Sequence, residues 1–350
     1  MDAKEASPRT TEGKKKGSKR KRETSSGKEV KQECSKGVGY GRCPNVSERY
    51  EKLGRIGEGT YGIVYKARDR VTDGLVALKR CLPHHESSGG FPLTTLREIS
   101  TLKQCQSHPN IVKLHEVAVS SARSGVFLVF EYCSQDLAKI LDRHYKIRQK
   151  SPFSGAQVKR LTFQLLSALE FLHSRMVLHR DIKLSNLLYS TTGDLKLADF
   201  GLSRSFLPQL TPKVVSLWYR PPELLLGAVD YSFEIDIWGA GCAMAELLLG
   251  CPLWNGTTEI DQLNKIMENL GTPPISLSHL PIFREGTVQF PTIKKRNQLW
   301  DRFSNLQGLS LLSALLQYDP VSRPSAAVAL KSDYFKTPPL PPQNMPSFPS

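Results

Sequence analysis

Apolar residues along the chain change character after about position 150. Between 50 and 130 they come in short β-rich runs, at 62–67, 75–79 and 126–130, with one helical segment around 96–102. This pattern predicts a small sheet carrying one helix. From 154 onward the runs lengthen: residues 156–173 place Val158, Leu161, Leu165, Ala168, Leu169 and Leu172 at helical spacing, and loops dense in charged residues follow. A second, mostly helical unit is expected there. The longest apolar stretch, 237–254, is interrupted by Gly239, Gly241, Glu246 and Gly250, so it reads as a buried core helix rather than a membrane span. Residues 337–350 carry six prolines, which excludes helix and central strand and predicts an extended tail. No internal repeat is visible.

Residues 1–48 break this pattern in the other direction. They hold thirteen Lys and Arg against seven Asp and Glu, with few large apolar side chains, and are expected to be a disordered basic tail. Within it Lys14, Lys15, Lys16, Lys19, Arg20, Lys21 and Arg22 form a dense run that resembles a nuclear import signal, although a solvated basic tail has the same composition. The whole chain, 350 residues and 39% hydrophobic, is long enough for one large or two smaller packed units. Residues 1–36 are polar where a secretory signal needs an apolar core, so a soluble protein is expected. Seven cysteines without a CxxC pair suggest reduced thiols in the cytosol or nucleus.

The net charge of +15 raises the question of nucleic acid. The tail supplies +6 of it, and the remaining +9 is spread without the aromatic–basic alternation that stacking on bases requires. Neither direct nucleic-acid binding nor membrane binding is expected.

Candidate chemistry lies in four places. Gly57-x-Gly59-x-x-Gly62-x-Val64 follows a strand-like entry at 53–56 and continues as a strand. Its glycines let backbone amides close over phosphates, and the strand–loop–strand context separates it from the dinucleotide fingerprint, which opens into a helix. Val76-Ala77-Leu78-Lys79 is a buried-looking strand ending in a lysine suited to the α and β phosphates, and Glu98 follows on the first helix nineteen residues later. Thr95-x-x-Glu98 fits an N-terminal capping box equally well. His179-Arg180-Asp181-Ile182-Lys183-x-x-Asn186 puts a carboxylate, a cation and an amide in one loop, and this order matches a known phosphoryl-transfer template, from which the roles are taken over: Asp181 to orient a hydroxyl, Lys183 to stabilise migrating phosphoryl charge, Asn186 to hold magnesium. Asp199-Phe200-Gly201, after a strand-like run at 195–198, supplies a carboxylate as the second oxygen ligand for that cation.

Taken in order, these motifs are similar to those of eukaryotic protein kinases of the cyclin-dependent class, from about 50 to 335. Pro92-Leu93-Thr94-Thr95-Leu96-Arg97-Glu98 resembles the PISSLRE and PITSLRE signature helices. With 181–186, 211–220 and the tail at 340–349, it points most closely to the PISSLRE, or cyclin-dependent kinase 10, type. The resemblance implies an α+β bilobal kinase fold: a small β-rich N-lobe with the signature helix over 50–132, and a hinge and larger, mainly α C-lobe over 133–335. A proline-rich tail at 336–350 follows. It implies ATP and Mg2+, a cyclin of the M type that seats the signature helix so that Glu98 meets Lys79, and protein substrates carrying Ser-Pro or Thr-Pro.

Site residues follow from the same resemblance. Ile56, Gly57, Glu58, Gly59, Gly62, Val64 and Ala77 would enclose ATP with Lys79. Phe130, Glu131 and Cys133 fall at the gatekeeper and hinge, and Asp136 lies just beyond. Asn186 and Asp199 would hold the metal. Ser216 stands beside the catalytic Asp where the family usually has Thr. Val214, Val215 and Arg220 resemble the pocket for proline. Arg97, Arg180 and Arg204 would read a phosphate on Thr211, and Thr60 and Tyr61 match inhibitory sites, Tyr61 being equally explicable as a packing residue. Glu223 would pair with Arg323, and Asp236 would anchor the catalytic loop. The 199–211 segment is about three residues shorter than in well-known relatives, Pro221 replaces Ala before Pro222-Glu223, and no Trp-Pro follows Gly271-Thr272-Pro273. The competing class is a cyclin-binding scaffold without turnover; Lys79, Asp181, Asn186 and Asp199 together argue against it.

Overall fold

Alternation along the first strands sorts side chains onto two faces of one sheet. A one-turn helix α1 (Val46–Arg49) leads into β1 (Tyr50–Gly59), β2 (Gly62–Asp69) and β3 (Leu75–Cys81); α2 (Leu93–Cys105) follows, then β4 (Leu114–Ser120) and β5 (Gly125–Glu131). The strands lie in the order β1-β2-β3-β5-β4, all antiparallel. Val76 and Leu78 of β3 share one face with Phe127 and Val129 of β5, in a cluster closed by Val46, Tyr50, Ala67 and Ala118. Ala77 and Cys81, with Leu128 and Phe130, join the main core on the other face. The register Leu78↔Val129 and Lys79↔Leu128 fixes this division, since a one-residue slip would turn Lys79 out of the cleft.

The computed structural model describes residues 43–59, 62–81, 93–120, 125–205, 214–274, 277, 280, 303 and 308–348. They belong to one compact unit, 43–350. After β5 come β6 (Gln135–Asp136), α3 (Leu137–Arg148), α4 (Gly155–His173), β7 (Val177–Leu178), β8 (Leu187–Tyr189), β9 (Leu195–Leu197) and β10 (Arg204–Ser205). The remaining helices are α5 (Pro222–Leu225), α6 (Glu234–Leu249), α7 (Glu259–Leu270), α8 (Leu309–Leu315) and α9 (Ala326–Ala329). Two small sheets, β6-β8-β9 and β7-β10, carry the loops that face the first lobe. The expected α+β bilobal kinase architecture is therefore present.

Helix α4 begins where Ser154 and Gln157 form a reciprocal capping box, and it buries the apolar residues its spacing singled out. Helix α6 is buried on nearly all sides from Ile235 to Leu247. It stops at Leu249, short of the expected 254, because Gly250 turns left-handed; Trp254 then folds back to stack on Trp238, ring centroids 5.5 Å apart. Among the described residues no helix is long and apolar enough to cross a membrane. Cys43, Cys81, Cys105, Cys133, Cys242 and Cys251 are free thiols.

The ends differ from the sequence expectation in two ways. The tail boundary at 48 is too late: Asn45 caps α1, Val46 is buried, and the Val119 amide donates to the Pro44 carbonyl (3.0 Å), so residues 43–48 are part of the first lobe. Residues 1–42, with the basic run, lie outside the described residues. The C-terminal segment has neither helix nor strand, as its prolines predict, but it packs along α4 rather than standing away from the fold.

Candidate active site

Between the sheet and the helical lobe lies a cleft of about 720 Å3. The sheet supplies Ile56, Gly57, Glu58, Gly62, Val64, Ala77 and Lys79; β5 and the hinge supply Phe130, Glu131, Cys133 and Asp136. Gly59 closes β1 opposite Gly62. At Gly62, with φ of 153°, a Cβ would stand 2.0 Å from the Arg80 carbonyl oxygen, so only glycine allows β2 to pack here. Thr60 and Tyr61 lie outside the described residues.

Several lining residues have partners that define what they can offer. Glu58 pairs with Arg55 at the rim. The Glu131 carboxylate is committed to Lys196 Nζ (3.1 Å) and the Lys113 amide (2.8 Å), and the Glu131 amide donates in return to the Lys113 carbonyl (3.0 Å). Asp136 caps α3 by accepting from the Lys139 amide (2.9 Å) and also meets Lys139 Nζ (2.9 Å). Burial, helped by the Glu131 charge, pushes the Cys133 thiol up to about 12, so it is neutral at physiological pH.

Lys79 Nζ stands between two carboxylates, 2.7 Å from Glu98 Oε1 and 3.2 Å from Asp199 Oδ1. Burial favours the neutral amine, but the Glu98 and Asp199 charges outweigh it and hold the pKa above its ordinary value. Burial likewise opposes the Asp199 charge, and Lys79 overcomes it, so Asp199 titrates below the usual carboxylate range. The helix carrying Glu98 is thus seated in this structure. It begins at Leu93, which puts Thr95 inside the helix and Glu98 on Lys79; the capping-box reading of Thr95-x-x-Glu98 is not borne out.

The second lobe brings Asp181, Lys183, Asn186 and Ser216 to one point. Asp181 accepts from Ser216 Oγ (2.8 Å) and from Lys183 Nζ (2.7 Å), and Lys183 Nζ also reaches Ser216 Oγ (3.1 Å). Asn186 Nδ2 donates to the Asp181 carbonyl (2.8 Å) and carboxylate (2.9 Å), which commits the amide nitrogen and leaves the oxygen as the group available to a cation. With the Asp199 carboxylate lining the same cleft, these two oxygen donors suit a hard divalent ion.

Buried Asp236 on α6 sets the loop by accepting from the amides of His179 (2.9 Å) and Arg180 (2.8 Å) and pairing with His173 Nε2 (3.1 Å). Burial would raise its pKa, but the His173 hydrogen bond and neighbouring charge keep it low and ionised. Arg180 and Asp199 both adopt left-handed backbone (φ 66° and 63°), a local cost sustained by these bonds. His179 couples the two halves: its ring meets the Ala198 carbonyl (3.1 Å) and packs edge-on against buried Phe200 (5.0 Å between centroids).

Beyond the catalytic loop, the described part of the following segment resumes at Val214. Val215 is left-handed (φ 68°), an outlier for a β-branched residue, and its carbonyl accepts from Arg220 Nη2 (2.9 Å) and Nε (3.2 Å). Arg220 Nη1 meets Glu259 (2.5 Å). Glu223 and Arg323 form a buried two-pronged pair at 2.7 and 2.6 Å, and Arg323 also donates to three carbonyls.

The three arginines are near neighbours: burial and the charges of Arg97 and Arg180 hold the Arg204 guanidinium below its ordinary pKa. Arg180 is already engaged, donating to the Leu202 carbonyl (2.8 Å) and the Tyr231 hydroxyl (2.9 Å). Thr211 lies outside the described residues. Among the contributors not singled out from sequence are Leu188, Tyr231 and Tyr219. Leu188 lines the cleft one residue into β8, Tyr231 holds Arg180, and Tyr219 donates to buried Glu246 (2.5 Å) while accepting from the Leu184 amide (3.4 Å). Leu188 follows Asn186 in an apolar run and could have been found from it; the tyrosine contacts span 27 to 51 residues and leave no local signal.

Comparison with known proteins agrees with this geometry. The protein kinase domain model matches residues 50–335. Cyclin-dependent kinase 10 of Homo sapiens is 47% identical over 320 residues, covering 88% of this chain and 86% of that protein. Cyclin-dependent kinase G-2 of Oryza sativa subsp. indica is 44% identical over 88% of this chain and 44% of its own length, and cyclin-dependent kinase 11B of Homo sapiens 43% over 92% and 41%. The cleft and its catalytic loop are therefore those of a protein kinase, and the chain belongs to the cyclin-dependent kinases, of the cyclin-dependent kinase 10 type and near the PITSLRE branch.

Proposed function

We propose that the chain transfers the γ-phosphate of ATP to Ser or Thr followed by Pro, in a complex with a cyclin of the M type. The observation that carries the reading is the convergence of Asp181, Lys183 and Ser216 within 3.1 Å of one another, across the cleft from the Lys79–Glu98 pair. Asp181 orients the acceptor hydroxyl and takes up its proton, with Ser216 and Lys183 fixing the carboxylate. Lys79, held by Glu98, meets the α and β phosphates, and Lys183 meets the phosphoryl group in flight. Magnesium, when bound by Asn186 and Asp199, supplies positive charge against the phosphates.

Proline direction is supported by Val215. Its carbonyl is already committed to Arg220, so an acceptor whose following residue carries an N–H would bury that donor without a partner, whereas proline has none to lose. Replacing that proline by alanine in a peptide substrate is expected to lower kcat/KM roughly 10- to 100-fold, from an unmet donor costing about 1–3 kcal/mol. Equal turnover of the two peptides would sink the specificity.

The cyclin's role is to hold α2 where Glu98 meets Lys79. A phosphate on Thr211 would bring about two negative charges to Arg97, Arg180 and Arg204, while phosphates on Thr60 or Tyr61 would repel those of ATP. A role in cell-cycle or transcription-linked regulation, with residence in nucleus and cytoplasm, completes the proposal. Nuclear entry would rest on Lys14 to Arg22 and would be lost from a fluorescent fusion in which those basic residues are alanine.

A further inference from the structure

The last twelve described residues, 337–348, run from Lys159 and Arg160 of α4 to the rings of Phe153 and Tyr189. Two consecutive residues of α4 grip them. Lys159 Nζ donates to the carbonyls of Thr337 (2.7 Å) and Pro339 (3.0 Å) and lies 4.7 Å from the Tyr334 ring centroid. Lys159 is only 1% exposed, and the carbonyls its buried ammonium meets are those of this segment. Arg160 donates to the carbonyls of Pro342 (2.7 Å) and Gln343, and its other nitrogen meets Asp194 (2.7 Å) in the turn between β8 and β9. In that turn Gly193 is left-handed (φ 82°), and a Cβ there would stand 2.3 Å from Met345 Cβ. The segment therefore lies directly on the hairpin. Proline suits it: the backbone is preset in an extended form, and carbonyls without competing amides face their donors.

Tyr189 is the junction between this segment and the nucleotide site. Its hydroxyl donates to the Pro346 carbonyl (2.7 Å), and Phe348 packs edge-on against its ring and that of Phe153. The Tyr189 carbonyl accepts both the amide and the hydroxyl of Ser134 (3.1 Å each), and the residue pairs with Gln135 of β6. Ser134 follows Cys133 in the cleft lining, and Tyr189 stands three residues after Asn186, with Leu188 between cleft and hairpin. One residue thus ties the tail, through its hydroxyl and ring, to β6 and the hinge exit, through its backbone, in the strand that follows Asn186.

We propose that residues 337–348 act in cis as a positioning strap for the nucleotide, holding Tyr189 so that the hinge exit and Asn186 keep their places. The proposal rests on the reading of the cleft as an ATP site. The test measures binding of Mg-ADP by calorimetry and the kinetics of ATP use for three proteins in complex with cyclin: the full chain, a chain ending at residue 340, and Tyr189→Phe. Truncation at 340 keeps the two carbonyls on Lys159. Both variants are expected to weaken Mg-ADP binding and raise the ATP KM about 3- to 10-fold, the scale of one or two lost hydrogen bonds, with kcat at saturating ATP and the peptide KM changed less than about twofold. A peptide of residues 341–350 added in trans should restore the truncated chain and leave Tyr189→Phe unchanged.

Lowered melting temperature with unchanged nucleotide affinity in Tyr189→Phe would reduce the strap to a purely structural brace and overturn the proposal, whatever the truncated chain does. Failure of the full chain itself to bind Mg-ADP would instead overturn the ATP-site reading.

Discussion

Glu246 illustrates how a single residue can carry more than its local sequence suggests. It sits on α6, buried, one turn from Cys242, and accepts from Tyr219 at the end of the segment that follows the catalytic loop. Burial, opposed by the Tyr219 hydrogen bond, raises its pKa from 4.5 to about 7. A carboxyl whose folded pKa lies above its unfolded value binds an extra proton in the folded state across that window. Stability should therefore fall as pH rises from 4.5 to about 7, by on the order of 3 kcal/mol, and level off above. Glu246→Gln should flatten that slope in denaturation measured across the window; an unchanged slope would reject the assignment. None of this was legible beforehand, since Glu246 registered only as an interruption of an apolar stretch. Asp181, Lys183, Asn186 and Asp199 were legible because their spacing within short loops is itself the signature of phosphoryl transfer. The long-range contacts of the residues beside them, Tyr231 on Arg180 and His179 against Phe200, are made by the fold and have no sequence period to reveal them.

At the scale of elements, α2 is where the two lobes' chemistry meets. Glu98 is placed so that Lys79 is shared between it and Asp199. Without the Glu98 charge, Lys79 would be left to Asp199, neutralising the carboxylate meant for a cation. Glu98→Gln is accordingly expected to lower kcat roughly 10- to 100-fold, the scale of a lost charge-assisted hydrogen bond, while α2 stays folded by circular dichroism. Retention of full activity would show that the pair does not govern Lys79. Strands β2, β3 and β5 were readable from their apolar runs and α4 from its spacing. Strand β4 was not: a register shift between Leu114 and Glu116 breaks its alternation, so Leu114, Val117 and Val119 show no clean period. Helix α1 escaped for a different reason, being one turn long at the edge of a basic tail, held by Asn45 and by contacts with distant β4.

For the whole molecule, the bilobal plan was legible because the apolar pattern itself changes from short runs to long ones. What the pattern could not convey is how the termini attach. A proline-rich segment reads the same whether solvated or docked; its docking depends on Lys159 and Arg160, which lie on the polar side of α4's pattern and near-invisibly far away in sequence. The same holds for the catalytic assembly, in which residues from both lobes must be aligned at once, an alignment we assign to a bound cyclin. The most direct measurement is transfer of labelled γ-phosphate from ATP to a Ser-Pro peptide by the purified chain, with and without an M-type cyclin, beside Asp181→Asn. The account predicts transfer that requires the cyclin and falls by about 100-fold or more in Asp181→Asn. No transfer with cyclin bound and Thr211 phosphorylated would contradict it and leave a cyclin-binding scaffold in its place.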